Sequence, residues 1–264
     1  MFNEYLVSWE LVVDGDPLVT RSSRLLPVRQ HELPAMLKIA LEAEEQRGGR
    51  LMTWWQGQGA ARVLAQQGNA LLLERATGRD ALAVFARNGR DDEAARIMCD
   101  VIAGLHARTN PPPPGLIPLS QWFEALAPAA AEHGGVLSLA AAAASRLLSS
   151  PREVRALHGD VHHGNILDFG NRGWLAIDPK GLIGERGFEY ANIFCNPDHE
   201  TATSRKNFAR RLDVIVEAGG LDHTRLLQWI LAWSGLSAAW SLDEGTPPDT
   251  ALRVAELAAE RLSR

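Results

Sequence analysis

The stretch LHGDVHHGNILDFGNRGWLAIDPKG, Leu157 to Gly181, decides how the chain is read. Ala156 and Leu157 lead into a loop, His158 to Gly164. NILDF (165–169) is short and mostly apolar, Gly170-Asn171-Arg172-Gly173 carries turn residues, and WLAID (174–178) returns. Two apolar runs around a glycine-rich turn predict a β-hairpin, with Ile166, Phe169, Leu175 and Ile177 as its apolar residues. A hairpin closes on its own beginning. Asp160, Asn165 and Asp178 are therefore expected along one edge.

That set matches the needs of phosphoryl transfer, where the protein orients a hydroxyl and neutralises phosphate charge with help from Mg2+. A carboxylate must accept the hydroxyl proton, and hard oxygen ligands must hold the metal. Asp160 is the candidate base. Asn165 follows it at the interval found in kinase catalytic loops, and Asp178 can supply the second metal ligand. The literal Asp-Phe-Gly at 168–170 spells a kinase metal-binding element. Asp168, however, precedes the turn, so Ile177-Asp178-Pro179 is the expected counterpart. An isolated His-Gly-Asp is more often a turn with a capping aspartate; Asn165 and Asp178 at compatible spacing favour the catalytic reading. His158 is expected to hold the loop through backbone carbonyls, and His162 and His163 to be non-ligands.

Outward from this stretch, the first third reads as β-rich. Tyr5–Val13, a turn at Asp14–Pro17, and LVTR form one hairpin. Arg24–Gln30 and Pro34–Ala40 form a second, and Gly68-Asn69 joins the strands of a third. A helix is expected over Glu42–Trp55, made irregular by Gly48 and Gly49, since each glycine costs roughly 1 kcal/mol against alanine. After about Thr77 helical periodicity takes over. DDEAARIMCDVIAGLHAR places Ala95, Met98, Val101, Ile102 and Leu105 on one face, with acids in the first turn. Pro111–Gly115 is a stiff connector. Helices are expected at Ser120–His133 and Ser138–Ser149, each capped by its serine, and at Thr203–Ala218, Thr224–Leu242 and Asp249–Leu262. The class is α+β: a small antiparallel-sheet N-lobe, residues 1–76, binding nucleotide, and a larger, mainly helical C-lobe, residues 77–264, with the catalytic loop and substrate site.

A kinase site also needs a cation on the donor phosphates. Lys38 ends an apolar strand, and Glu44 and Glu45 follow on the next helix; Glu45 is the expected partner. A lysine snorkelling from a strand edge is the plainer alternative. No G-x-x-x-x-G-K-[ST] occurs, which excludes a P-loop enzyme. A glycine-rich phosphate loop is also missing; Ser22 and Ser23 stand where it would lie. Ala70–Ala76 is a buried strand running to the lobe boundary, with Glu74 to Ala76 as the hinge that meets adenine.

The 264 residues carry 27 Lys+Arg against 32 Asp+Glu, a net charge of -5, without the basic stripe of a nucleic-acid binder. Cys99 and Cys195, the only cysteines, make no disulfide framework. The N-terminus lacks a basic region and cleavage site, and the apolar run Val136–Ala144 is far short of the ~20 residues of a membrane span. A cytoplasmic chain with no membrane, nucleic-acid or obligate protein partner is expected.

HGDVHHGNIL, AIDPKGLIGERGFEYAN, PAMLKIA, TWWQGQGAARVL and GLSAAW, which together sample nearly the whole chain, resemble the aminoglycoside phosphotransferases. Within them they are similar to the streptomycin 6-phosphotransferase (aminoglycoside/hydroxyurea antibiotic resistance kinase) branch. The resemblance implies a two-lobed protein-kinase-like fold, ATP as donor, Mg2+, and phosphorylation of a hydroxyl on the streptidine ring. By matched position it implies Asp160 as base, Asn165 and Asp178 as metal ligands, and Lys38 on phosphate. Where this chain has Glu189, broader relatives often carry Asp. Streptomycin bears two guanidinium groups, which carboxylates bind through paired hydrogen bonds. Glu185, Glu189, Asp198 and Glu200 are expected to form part of an acidic wall, and Trp233 and Trp240 either to stack on the drug or to be core. A metal-dependent hydrolase built on His158, Asp160, His162 and His163, a non-catalytic pseudokinase, and a kinase of another small alcohol or sugar amine stay as alternatives.

Overall fold

The computed structural model describes residues 1–263. The N-terminal residues are not the strand their β-branched and aromatic content suggests. Asn3–Ser8 is a helix, α1, opened by Phe2 O accepting from Tyr5 N and Leu6 N at 3.0 Å. Its buried Tyr5 stacks on Trp9 at 5.3 Å between centroids, and Glu10, with φ 52°, ends the turn before β1 (Leu11–Val13). The sheet continues with β2 (Leu18–Val19), β3 (Ser23–Gln30) and β4 (Leu33–Ala40). Helix α2 (Ala43–Trp55) follows, then β5 (Val63–Gln67) and β6 (Ala70–Glu74). The order is β1-β3-β4-β6-β5, with β2 on β3, and every pairing is antiparallel. The second and third hairpins thus form as the turn residues indicate.

Side chains alternate across a strand. In β4, Ala35, Leu37 and Ile39 join Leu26, Val28 and Leu72 in a small core on one face. Met36 and Lys38 consequently project to the other face, toward the cleft. Helix α2 is regular, contrary to expectation. A Cβ at Gly48 would lie 2.0 Å from the Pro179 carbonyl oxygen, and one at Gly49 2.7 Å from Leu71. The paired glycines let the helix touch both the sheet and the 178–180 segment, which offsets their propensity cost.

Helices α3 (Leu82–Arg87) and α4 (Asp91–His106) open the helical part. A short strand β7 (Ile117–Pro118) and helices α5 (Leu119–Trp122), α6 (Leu126–His133) and α7 (Val136–Ser149) follow. The expected serine caps are absent: Ala125 and Gly135 occupy the cap positions of α6 and α7, without side-chain capping. Strands β8 (Val154–Leu157), β9 (Ile166–Asp168), β10 (Trp174–Ala176) and β11 (Leu182–Glu185) come next. β9 and β10 are the anticipated hairpin, with Ile166 opposite Ala176 and Asp168 opposite Trp174. β8, β11 and β7 form a second sheet that was not anticipated, with Leu182 opposite both Leu157 and Ile117. Helices α8 (His199–Thr203), α9 (Arg205–Gly219), α10 (His223–Asp243) and α11 (Asp249–Leu262) complete the chain. Buried α10 packs on α7 so closely that a Cβ at Gly235 would come within 2.3 Å of Ala140 Cβ. Among the described residues, no helix is long and apolar enough to cross a membrane.

Candidate active site

The two sheets and the hairpin converge on the loop 158–165. His158 leaves β8 fully buried; its Nε2 lies 2.7 Å from Ile177 O and its Nδ1 accepts from Asp160 N at 3.2 Å. Those contacts define a neutral ring with its proton on Nε2, and burial holds its pKa below the ordinary value. Glu189 lies beneath, also buried, accepting from the backbone N–H of His158 (2.7 Å) and Gly159 (2.8 Å), with His106 Nε2 at 3.4 Å. The loop is therefore fixed by buried groups on both sides.

Asp160 faces a cavity of about 340 Å³ bounded by His162, Lys180, Asn192, Trp122, Trp233 and Trp240. Asn192 Nδ2 donates to Asp160 Oδ1 at 2.8 Å, and Asn165 Nδ2 reaches Asp160 O at 2.9 Å and Oδ2 at 3.2 Å. Trp233 Nε1 donates to Asn192 Oδ1 at 3.0 Å, so the buried tryptophan orients the asparagine that orients the aspartate. Burial pushes the Asp160 carboxyl up to about 7, against the pull of Lys180. That value suits a base working near neutrality.

Asp178 emerges just past β10 with φ 61°, an uncommon conformation for a non-glycine residue. It forms an ion pair with Lys38, and Lys38 forms a second with Glu45. Of the two helix acids, Glu45 is thus the partner of Lys38, and Ser22 Oγ donates to Glu45 Oε1 at 2.7 Å. Burial would raise Asp178, but the Lys38 ammonium outweighs it and holds the carboxyl below its ordinary range. Burial would likewise lower Lys38, yet Asp178 and Glu45 keep its pKa raised. Glu44 pairs instead with Lys180 at 2.9 Å.

Lys38, Glu45 and Asp178 line a second cavity, of about 490 Å³, between the sheet and the hairpin. Ser22 and Ser23 border it on a tight turn where Thr20 Oγ1 accepts from Ser23 N at 2.9 Å. Glu74 and Ala76 line the far end, and Leu25, Met36, Leu73 and Phe169 give it apolar walls. Asp168 does not enter it: its Oδ1 accepts from Gly170 N at 2.8 Å and starts the hairpin turn.

The structure does not bring the expected acidic wall to Asp160. Glu185 is buried, paired with Arg225 at 2.6 Å and bonded by Trp229 Nε1 at 2.9 Å and Arg152 N at 2.9 Å. Glu189 serves the loop backbone from below. Asp198 caps α8 through Thr201 N at 2.9 Å and pairs with Arg87 at 2.7 Å, and Glu200 sits in the first turn of that helix. Sequence spacing put these acids near Asp178, but their oxygens are already engaged or lie on α8. Trp240 does line the Asp160 cavity, edge-on to Trp122 and Trp233 at 5.3 and 5.5 Å. The unforeseen members are Asn192, Lys180 and Trp122. Asn192 stood inside the quoted GFEYAN and Lys180 inside AIDPKG, with no spacing rule to single them out.

The donor set admits Mg2+. Asn165 spends its amide nitrogen on Asp160, which leaves its Oδ1, and Asp178 binds Lys38 through Oδ1, which leaves Oδ2. One or two hard oxygens of this kind are the usual protein share of a magnesium site, the remaining ligands being water and phosphate. The histidines do not form a metal cluster: His158 is committed as above, His162 Nδ1 accepts from Gly164 N at 3.0 Å, and His163 is buried with neither ring nitrogen bonded.

The profile of the aminoglycoside/hydroxyurea antibiotic resistance kinases matches residues 8–245. The streptomycin 3''-kinase of Klebsiella pneumoniae is 54% identical over 242 residues, 90% of this chain and 91% of that protein. A streptomycin 6-kinase of Streptomyces griseus is 31% identical over 273 residues, 97% of this chain and 86% of that protein. Among solved structures, a thermostable mutant of aminoglycoside phosphotransferase APH(4)-Ia, in ternary complex with ADP and hygromycin B, superposes with a TM-score of 0.62 at 14% identity, covering 99% of this chain and 97% of that one. That likeness carries the fold, two-lobed and protein-kinase-like. With a family profile spanning most of its length and a relative 54% identical over 90% of it, the chain belongs to the aminoglycoside/hydroxyurea antibiotic resistance kinases.

Proposed function

We propose that the protein transfers the γ-phosphoryl group of ATP to a hydroxyl of streptomycin in the cytoplasm and so confers resistance. The observation that carries the reading is a pair of cavities that share Lys180, one apolar and lined by Lys38 and Asp178, the other lined by Asp160 and walled by tryptophans. Adenine lies against the hinge at Glu74 to Ala76, Ser22 and Ser23 cover the phosphates, and Lys38 holds the α- and β-phosphates while Glu45 fixes its position. Asn165 and Asp178 would hold Mg2+, which when bound would neutralise phosphate charge. Asp160, aimed by Asn192 and Asn165, orients the acceptor hydroxyl and takes its proton.

The acceptor cavity adjoins a groove of about 680 Å³, with which it shares Trp122, Lys180 and Trp240. Glu124 and Glu244 border that groove. They replace Glu185, Glu189 and Asp198 as the carboxylates that receive the drug's guanidinium groups, with Trp240 packing on the drug. The 54% identity to a streptomycin 3''-kinase supports the 3''-hydroxyl as acceptor, ahead of the 6-hydroxyl that the sequence suggested and the 31% relative shares.

The test is incubation of purified protein with Mg-ATP and streptomycin. Mass spectrometry should show one added phosphate, and phosphorus–proton NMR should place it. No ATP consumption across a panel of aminoglycosides would leave the pseudokinase reading instead.

A further inference from the structure

Lys180 is the only described residue that lines the nucleotide cavity, the Asp160 cavity and the adjoining groove together. It is also the only lysine or arginine on the Asp160 cavity. Its backbone is pinned from several directions. Lys180 N donates to His158 O at 2.7 Å, Arg47 Nε donates to Lys180 O at 3.1 Å, and the preceding Pro179 carbonyl rests against Gly48. The Cα thus stands fixed between the lobes, while the side chain reaches out to Glu44 of α2 at 2.9 Å. Both partners of that pair are partly exposed, 26% and 34%, so the pair is weakly held and easily exchanged for a more highly charged one.

Phosphoryl transfer spreads negative charge over the oxygens of the migrating group, and a cation placed there is among the largest contributions an enzyme makes. The loop from 158 to 165 contains no lysine or arginine. Lys38 is already shared between Glu45 and Asp178. A side-chain cation for the group in transit, added to the charge that Mg2+ would supply, must come from elsewhere in the chain.

We propose that Lys180 is that cation, a catalytic residue that leaves Glu44 and bonds the γ-phosphoryl oxygens as the group passes from nucleotide to acceptor. This rests on the kinase reading above. The new bond joins the acceptor oxygen to phosphorus, and the bond from phosphorus to the β,γ-bridging oxygen breaks. That electron pair departs with ADP, and the hydroxyl proton goes to the Asp160 carboxylate. Lys180 gives up no proton; it supplies charge.

The experiment compares wild-type, Lys180→Met and Lys180→Arg proteins by calorimetry with Mg-ADP, alone and with fluoroaluminate, which occupies the position of the migrating phosphoryl group. Lys180→Met should bind Mg-ADP within about threefold of wild type and lose about 100-fold or more of the tightening that fluoroaluminate brings, with Lys180→Arg retaining much of it. Equal tightening in wild type and Lys180→Met, including none in either, overturns the proposal. So does an equal loss for Mg-ADP alone, which would mark a structural lysine. The readout needs no acceptor, so a failure of streptomycin as substrate would be seen separately. If streptomycin is the substrate, kcat for Lys180→Met should also fall about 100- to 1,000-fold with the drug's KM little changed.

Discussion

Asn192 donates its side-chain amide to Asp160 Oδ1 at 2.8 Å from a short helical segment outside the loop that carries the aspartate. Asp160, the proposed base, is thereby aimed by a residue distant in sequence and itself held by Trp233. Asn192→Ala should lower kcat about 10- to 100-fold with a smaller change in KM for ATP, because the carboxylate loses one of the two side-chain amides that orient it. Steady-state kinetics on the variant, beside a melting curve to verify the fold, check this. An unchanged kcat removes the positioning role.

The two aspartates of the hairpin should separate cleanly. Asp178→Asn breaks the pair with Lys38 and removes a proposed metal ligand, so activity should fall by roughly 100-fold or more. Asp168→Asn weakens only the turn bond to Gly170 and should cost about 0.5–1.5 kcal/mol of stability with kcat intact. Measuring the two side by side tests which aspartate acts, since a reversed pattern would return the role to Asp-Phe-Gly.

Glu185 makes a prediction about acid stability. Burial would raise its carboxyl, but Arg225 and Trp229 hold it below its ordinary value of 4.5. The native pKa lies below the unfolded one, so this contribution is fully present above about pH 4.5 and is lost as pH falls through the lower native value. Glu185→Gln should destabilise the protein at pH 7 by about 3 kcal/mol, since Arg225 loses its charged partner. It should also flatten the fall in melting temperature below pH 4.5. Melting curves of both proteins from pH 7 to pH 3.5 decide it, and parallel curves would contradict the linkage.

Trp240→Ala should raise KM for streptomycin by about 3- to 30-fold, the range for losing a cation–π face, while KM for ATP stays near wild type. A shift in the ATP constant instead would place Trp240 outside the drug site.

Much of this architecture is legible in local sequence. The Gly68-Asn69 and Gly170–Gly173 turns mark their hairpins, and the period of α4 is plain from Ala95 to Leu105. Local signals fail where distant residues decide. Leu182–Glu185 pairs with Val154–Leu157 across the whole loop 158–165 and the hairpin, and nothing nearby announces a strand. Glu185 resembled a free acid because Arg225, 40 residues away, is invisible from its neighbours. Tyr5 to Ser8 carried strand-forming residues, yet the tilted stack of Tyr5 on Trp9 accompanies a helix. At the site, Asp160, Asn165 and Asp178 could be placed by interval, whereas Asn192 reaches the aspartate only through tertiary folding.

Gly48 against Pro179 has a consequence for control. In many protein kinases the helix bearing the glutamate swings away and must be driven back before turnover. Here a bare helix surface is wedged under the carbonyl next to Asp178, and the glutamate already grips its lysine. Any outward swing of this helix would have to part Gly48 from Pro179 and Glu45 from Lys38 at once.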